Sequence, residues 1–154
     1  MIKFFRTKSD SPFFTQEEQK QITRAIQEAE TYTTGEVRLF VESKCKYVNA
    51  IDRALLIFDH LEMEKTVNRN AVLIYIALQD RQLAIYGDEG IHNQVGEEFW
   101  NHELQKIIDE FTLNHYVEGI VEVIEDVGTV LKKHFPAGAQ TNKNELPDDI
   151  VFGK

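Results

Sequence analysis

Four stretches of this chain carry apolar residues at helical spacing, and three carry the alternating or continuous apolar pattern of strands. Thr15-Gln16-Glu17-Glu18 has the form of a capping box, in which hydroxyl and carboxylate satisfy free amide donors at a helix start. Ile22, Ala25, Ile26 and Ala29 follow at helical intervals, so residues 15–32 read as an amphipathic helix ended by Thr33-Thr34-Gly35. In Glu36 to Glu42, Val37, Leu39 and Val41 alternate with polar residues, the mark of a strand buried on one face. A second helix carries Ile51, Leu55, Phe58 and Leu61. Residues 71–78 are continuously apolar or aromatic, which predicts a strand covered on both faces and central in its sheet. Gln79-Asp80-Arg81 turns the chain into a third strand from Gln82 to Gly87, hairpin-paired with the second. Beyond the break at Gly87-Asp88-Glu89-Gly90, a helix starts near Val95 to Glu98 and runs to Phe111, with Trp100, Leu104, Ile107, Ile108 and Phe111 on one stripe. The last helix bears Ile120, Ile124, Val127 and Leu131 and stops at Pro136.

The order α, β, α, β, β, α, α predicts a layered α/β domain over residues 13–136, a three-layer α/β/α sandwich around a small mixed sheet. A helix between the first two strands implies that they run parallel in a right-handed crossover. Residues 1–12 read as an N-terminal tail, basic and partly aromatic. Residues 137–154 are polar and aperiodic and read as a flexible C-terminal tail, with Ile150 to Phe152 tacked onto the surface.

Composition narrows the function classes. The chain has 154 residues, room for one domain, and a net charge of −9, which argues against a phosphate-backbone binder and leaves carboxylates for hard cations. A single cysteine, Cys45, excludes an internal disulfide and a multi-thiolate zinc site, in keeping with a cytoplasmic location. No stretch approaches the ~20 apolar residues of a membrane span.

The topology brings three distant bends to one edge of the sheet: Thr34-Gly35-Glu36, Arg69-Asn70 and Gly87-Asp88-Glu89-Gly90. The helix carrying Glu97 and Glu98 in its first turn begins close by. Glu36, Asn70, Asp88, Glu89 and Glu98 thus supply oxygen ligands of the kind calcium or magnesium takes. Ordinary turn and helix-start chemistry accounts for the same residues, and on spacing alone it outweighs a metal site. The opposite edge carries Glu42, Ser43, Cys45, Asp80 and Arg81, which turn chemistry explains without a further role. The five histidines lack metal-ligand spacing, and neither a phosphate loop nor a nucleophile elbow is present.

From Phe13 to Phe135 the chain resembles the TPM domain, a family that includes a thylakoid lumen protein of photosystem repair. The resemblance rests on Phe14-Thr15, Thr34-Gly35-Glu36, Arg69-Asn70-Ala71-Val72-Leu73-Ile74, Asp80-Arg81, Ile85 to Ile91, and Phe111 with Tyr116 to Ile120. Asn144 to Asp148 with Phe152-Gly153-Lys154 resembles the tail of short, soluble bacterial members. The resemblance implies an α/β/α sandwich that binds divalent cations, with acid phosphatase activity in some members. Carried over, the cation residues fall near Glu36, Asn70, Asp88 and Glu98. Short relatives are expected to work with membrane-associated protein partners, here at the acidic loop edge. Arg69 stands where many members have Asp, and Ala71 where they have Gly; an arginine repels a metal and can hold an anion instead. The expected function is therefore a calcium- or magnesium-binding accessory domain without strong catalysis. A metal-dependent phosphatase, with Glu36 or Asp88 as base and Arg69 on the phosphate, is one alternative. A purely structural interaction module is the other.

Overall fold

A computed structural model describes residues 13–47, 49–137 and 146–153. The expected N-terminal tail, residues 138–145 and residue 154 lie outside the described residues. Helix α1 (Gln16–Glu30) opens with the capping box, the Glu18 amide donating to Thr15 Oγ1 at 3.1 Å and the Thr15 amide to Glu18 Oε1 at 2.9 Å. Strand β1 (Glu36–Glu42), helix α2 (Ala50–His60), strand β2 (Ala71–Ala77) and strand β3 (Gln82–Gly87) follow within a few residues of the expected bounds. Then come α3 (Glu89–Val95), α4 (Glu97–Thr112), α5 (Tyr116–His134) and a two-residue strand β4 (Val151–Phe152).

The sheet order is β3-β2-β1-β4. Strands β1 and β2 are parallel, with Glu36 opposite Ala71, and β3 is antiparallel to β2, with Val72 opposite Gly87. One face is covered by α1, α4 and α5, whose Ile22, Ile26, Ile107, Ile120 and Ile124 meet Val37, Leu39, Val41, Val72, Ile74 and Ile76. The other is covered by α2, with Ala54, Ile57 and Phe58 against Leu73, Tyr75 and Ala84. This is the expected three-layer α/β/α sandwich on a mixed sheet, with β2 in its interior.

Three local expectations need correction. The segment at Ile150 to Phe152, expected to be tacked onto the surface, is built in as a strand: Leu146 and Ile150 are buried, and Val151 and Phe152 pair in parallel with Phe40 and Val41. Two residues of strand leave no periodicity to detect. For the same reason β1 is buried on both faces rather than one, because Glu36, Arg38 and Glu42 lie beneath α2 and the returning C-terminal segment. The two carboxylates are compensated. Glu42 accepts both Nε and Nη2 of Arg53, at 2.9 and 3.0 Å, and the Tyr75 hydroxyl at 2.5 Å; Glu36 Oε1 accepts the Leu146 amide at 2.6 Å. The third correction is α3, which fills what reads as an irregular break; seven residues are too few for an amphipathic stripe, but Asp88 caps them.

The C-terminal segment also meets Glu30 of α1. Glu30 Oε2 accepts the Val37 amide at 2.8 Å. Burial, the Asp148 carboxyl bonded to it and the nearby Glu36 push its pKa from 4.5 up to about 10. A carboxyl with a raised folded pKa stabilises the fold most below its ordinary pKa and loses that contribution as pH climbs toward the folded value. Glu30→Gln, which keeps an acceptor and a donor without a titrating proton, is therefore expected to be near-neutral at about pH 4. At about pH 8 it should be more stable than the parent by on the order of 2 kcal/mol. Thermal melts at the two pH values check this; an equal difference at both would remove Glu30 from the pH response.

Candidate functional site

Two backbone bonds place the three bends on one rim. The Glu36 amide donates to the Asn70 carbonyl at 3.4 Å, and the Asp88 amide donates to the Ala71 carbonyl at 2.9 Å. The first bend is anchored from behind: the Thr33 hydroxyl lies 2.7 Å from the Phe135 carbonyl, and the Thr34 amide donates to the same oxygen at 3.0 Å. In the third bend, Asp88 leaves β3 and caps α3, its Oδ1 accepting the Glu89 amide at 2.8 Å.

At the centre of the rim sits Arg69. Its Nε donates to Asp88 Oδ2 at 2.6 Å and its Nη2 to Asp88 Oδ1 at 2.9 Å, a two-toothed fork on one carboxylate. Its Nη1 lies 2.8 Å from Glu89 Oε1. The Asp88 side chain is 1% exposed and that of Glu89 is 64% exposed, so the two pairs differ in kind. An exposed pair contributes about 0–1 kcal/mol, whereas a buried carboxylate carries a desolvation cost that only a close partner offsets. Asp88 needs Arg69 far more than Glu89 does. The two carboxylates hold the guanidinium more firmly protonated than usual, the hydrogen-bonded Asp88 contributing most.

The backbone is bent to allow this. Arg69 has φ of 51°, in the left-handed region that L side chains seldom adopt, a strain of order 1 kcal/mol. The Gly90 amide donates to the Arg69 carbonyl at 2.8 Å. Gly90 must lack a side chain, because a Cβ there would stand 2.1 Å from the Asn68 carbonyl oxygen and 2.6 Å from that of Arg69. Thr34 Oγ1 completes the rim, accepting amide protons from Asn68 Nδ2 and Asn70 Nδ2, each at 3.0 Å. Asn70 is fully buried, and its Oδ1 has no hydrogen-bond partner among the described residues.

Of the five residues expected to hold a cation, the rim gathers Asn70, Asp88 and Glu89. Glu36 begins β1 at this edge, but its Oε1 is taken by Leu146 on the α2 side. Glu98 is exposed on the first turn of α4 and makes no hydrogen bond or ion pair with the others among the described residues. Among the described residues no three His, Cys, Asp or Glu side chains are arranged to hold a metal ion. Arg69 was legible as a departure from the family pattern; its fork on Asp88 was not, because the two residues are 19 apart in sequence. The opposite edge holds ordinary pairs, as expected: the Cys45 amide donates to Asp80 Oδ2 at 2.9 Å, and Ser43 Oγ donates to Gln79 Oε1 at 2.7 Å.

No helix among the described residues is long and apolar enough to cross a membrane. No curated protein matches the chain. The NMR structure of the BA42 protein from the psychrophilic bacterium Bizionia argentinensis superposes with a TM-score of 0.83 at 36% sequence identity, covering 96% of this chain and 99% of that one. The family model of the TPM domain matches residues 8–130. With that match spanning most of the sequence, on a sandwich of the same shape, the chain belongs to the TPM domain family.

Proposed function

We propose that this chain is a TPM-type accessory domain that acts by binding rather than by turnover, and that Arg69 serves as the resident cation of its loop rim. The carrying observation is the fork of Arg69 on Asp88. A hard cation at this rim would need the Asp88 oxygens, and both already accept from the guanidinium. The same occupancy weighs against a phosphatase. A general base needs a carboxylate free to take a proton, and phosphate binding needs a free guanidinium; here Asp88 and Arg69 engage each other. What the rim offers a protein partner at this acidic edge is a fixed shape, with Glu89 and the half-exposed face of Arg69 outward.

A second reading, calcium or magnesium binding in competition with Arg69, is favoured by the buried Asn70 Oδ1, which lacks a partner among the described residues. Such an oxygen is a costly vacancy unless something reaches it. A guanidinium on a 44% exposed side chain can swing out, leaving Asp88, Asn70 and Glu89 to an ion.

Calorimetric titration with calcium separates the two. On the first reading the parent chain gives no saturable heat at millimolar ion. Arg69→Asp, which removes the guanidinium and adds a carboxylate, should bind at least tenfold more tightly, and its melting temperature should become calcium-dependent. Micromolar binding by the parent, with shifted amide signals at Asp88 and Gly90, would establish the second reading instead.

A further inference from the structure

A different surface remains open. Strand β3 ends the sheet on one side, paired only with β2. Because the Asp88 amide bonds the Ala71 carbonyl, the register makes Leu83, Ile85 and Gly87 the residues whose peptide groups point away from β2. Among the described residues no hydrogen bond reaches their outer N–H or C=O groups. An unpaired edge of this kind templates a further strand unless something blocks it.

Among the described residues none pairs with this edge, and a groove of about 520 Å³ runs beside it. Its floor is the five consecutive residues from Leu83 to Gly87, about 14 Å of extended chain. Ile51 of α2 forms one wall, and Trp100 and Leu104 of α4 form the other. Gly87 lets the Trp100 indole lie against the strand, since a Cβ there would stand 2.3 Å from its Cζ2. Helices rising on both faces leave room for one bare strand and oppose a second sheet flanked by its own helices. The charged end is acidic: Glu97 and Glu89, the latter paired with Arg69, line the end near Gly87, and neither Lys nor Arg lines the groove.

We propose that the outer edge of β3 is a docking site for an extended segment of a partner protein, added to the sheet as a fifth strand. That segment is apolar at alternate positions, where its side chains meet Ile51 on one side and Trp100 and Leu104 on the other. It carries a Lys or Arg at the end that reaches Glu97. Main-chain hydrogen bonds to Leu83, Ile85 and Gly87 supply affinity, and the walls and acidic end supply selection. Glu89 lines both this groove and the loop rim, whereas the outer strand edge and Glu97 belong to the groove alone.

The test uses the full chain, labelled for NMR, and four capped six-residue peptides of alternating Val and Thr with Lys or Glu at either end. The Lys peptides should shift the Leu83, Ile85 and Gly87 amides and slow their hydrogen exchange at least tenfold, while rim amides such as Thr34 stay unchanged. Methylating the peptide nitrogens that face β3 should abolish this. Glu97→Lys, an exposed change that leaves the core untouched, should weaken the Lys peptides and favour the Glu peptides, each by about fivefold. The proposal is overturned if no peptide at millimolar concentration moves those amides, or if methylated peptides bind equally well. It is also overturned if those amides are already protected in the free chain, whether by a second copy, seen as a dimer in sedimentation, or by the chain's own residues 1–12, seen as loss of protection on their deletion.

Discussion

Arg69→Ala is expected to lower the melting temperature by roughly 5–10 °C. The reasoning is electrostatic. Asp88 is 1% exposed, and its two oxygens are satisfied by the guanidinium and one backbone amide. Truncating the arginine leaves a buried carboxylate with a single donor. Arg69→Lys should recover only part, since an ammonium cannot reproduce the fork. The cleaner control is Asp88→Asn in the Arg69→Ala background: neutralising the orphaned charge should restore stability relative to Arg69→Ala alone. Thermal denaturation of the set checks this, and no recovery on adding Asp88→Asn would point to lost packing instead.

Gly90→Ala is expected to cost about 3 kcal/mol or more, beyond the usual penalty of overpacking. The clash is with backbone, the Asn68 and Arg69 carbonyls, and no side-chain rotation relieves it. The rim must open to admit one methyl group, so the Arg69–Asp88 fork should loosen in the same variant. Denaturant melts give the stability loss, and the Arg69 Nε–H signal in NMR, sharp in the parent, should broaden or vanish. Gly96→Ala, at the other glycine of this region, supplies the contrast: nothing lies within 4 Å of a Cβ there, and only its φ of 80° opposes the change. Its cost should be about 1 kcal/mol.

The residues that pack were readable from the sequence because periodicity records burial. Ile22, Ile26, Ile120 and Ile124 sit on the stripes that spacing assigns them, and the eight apolar residues after Asn70 could only be an interior strand. The meeting of three bends was readable for a different reason: strand order and direction fix which ends share an edge, whatever the side chains are. Side-chain partners within the rim were not readable. Glu36 turns under Leu146 because residues 146–153 return to β1, and that return rests on two strand residues with no pattern of their own. Arg69 forks onto Asp88 only because its backbone takes a left-handed conformation that no residue preference announces for arginine. The alternation in β1 suggested a wet face for Arg38 and Glu42; burial of paired charge has no signature in a hydrophobic pattern.

On the proposed function, Arg69 holds the place a divalent ion would take. A crystal structure determined in millimolar calcium at neutral pH tests it directly. Arg69 Nε and Nη2 are expected still on Asp88, with no ion coordinated by that carboxylate. A calcium ion on Asp88 at about 2.3–2.6 Å, with Asn70 Oδ1 among its ligands and the arginine swung into solvent, would contradict it.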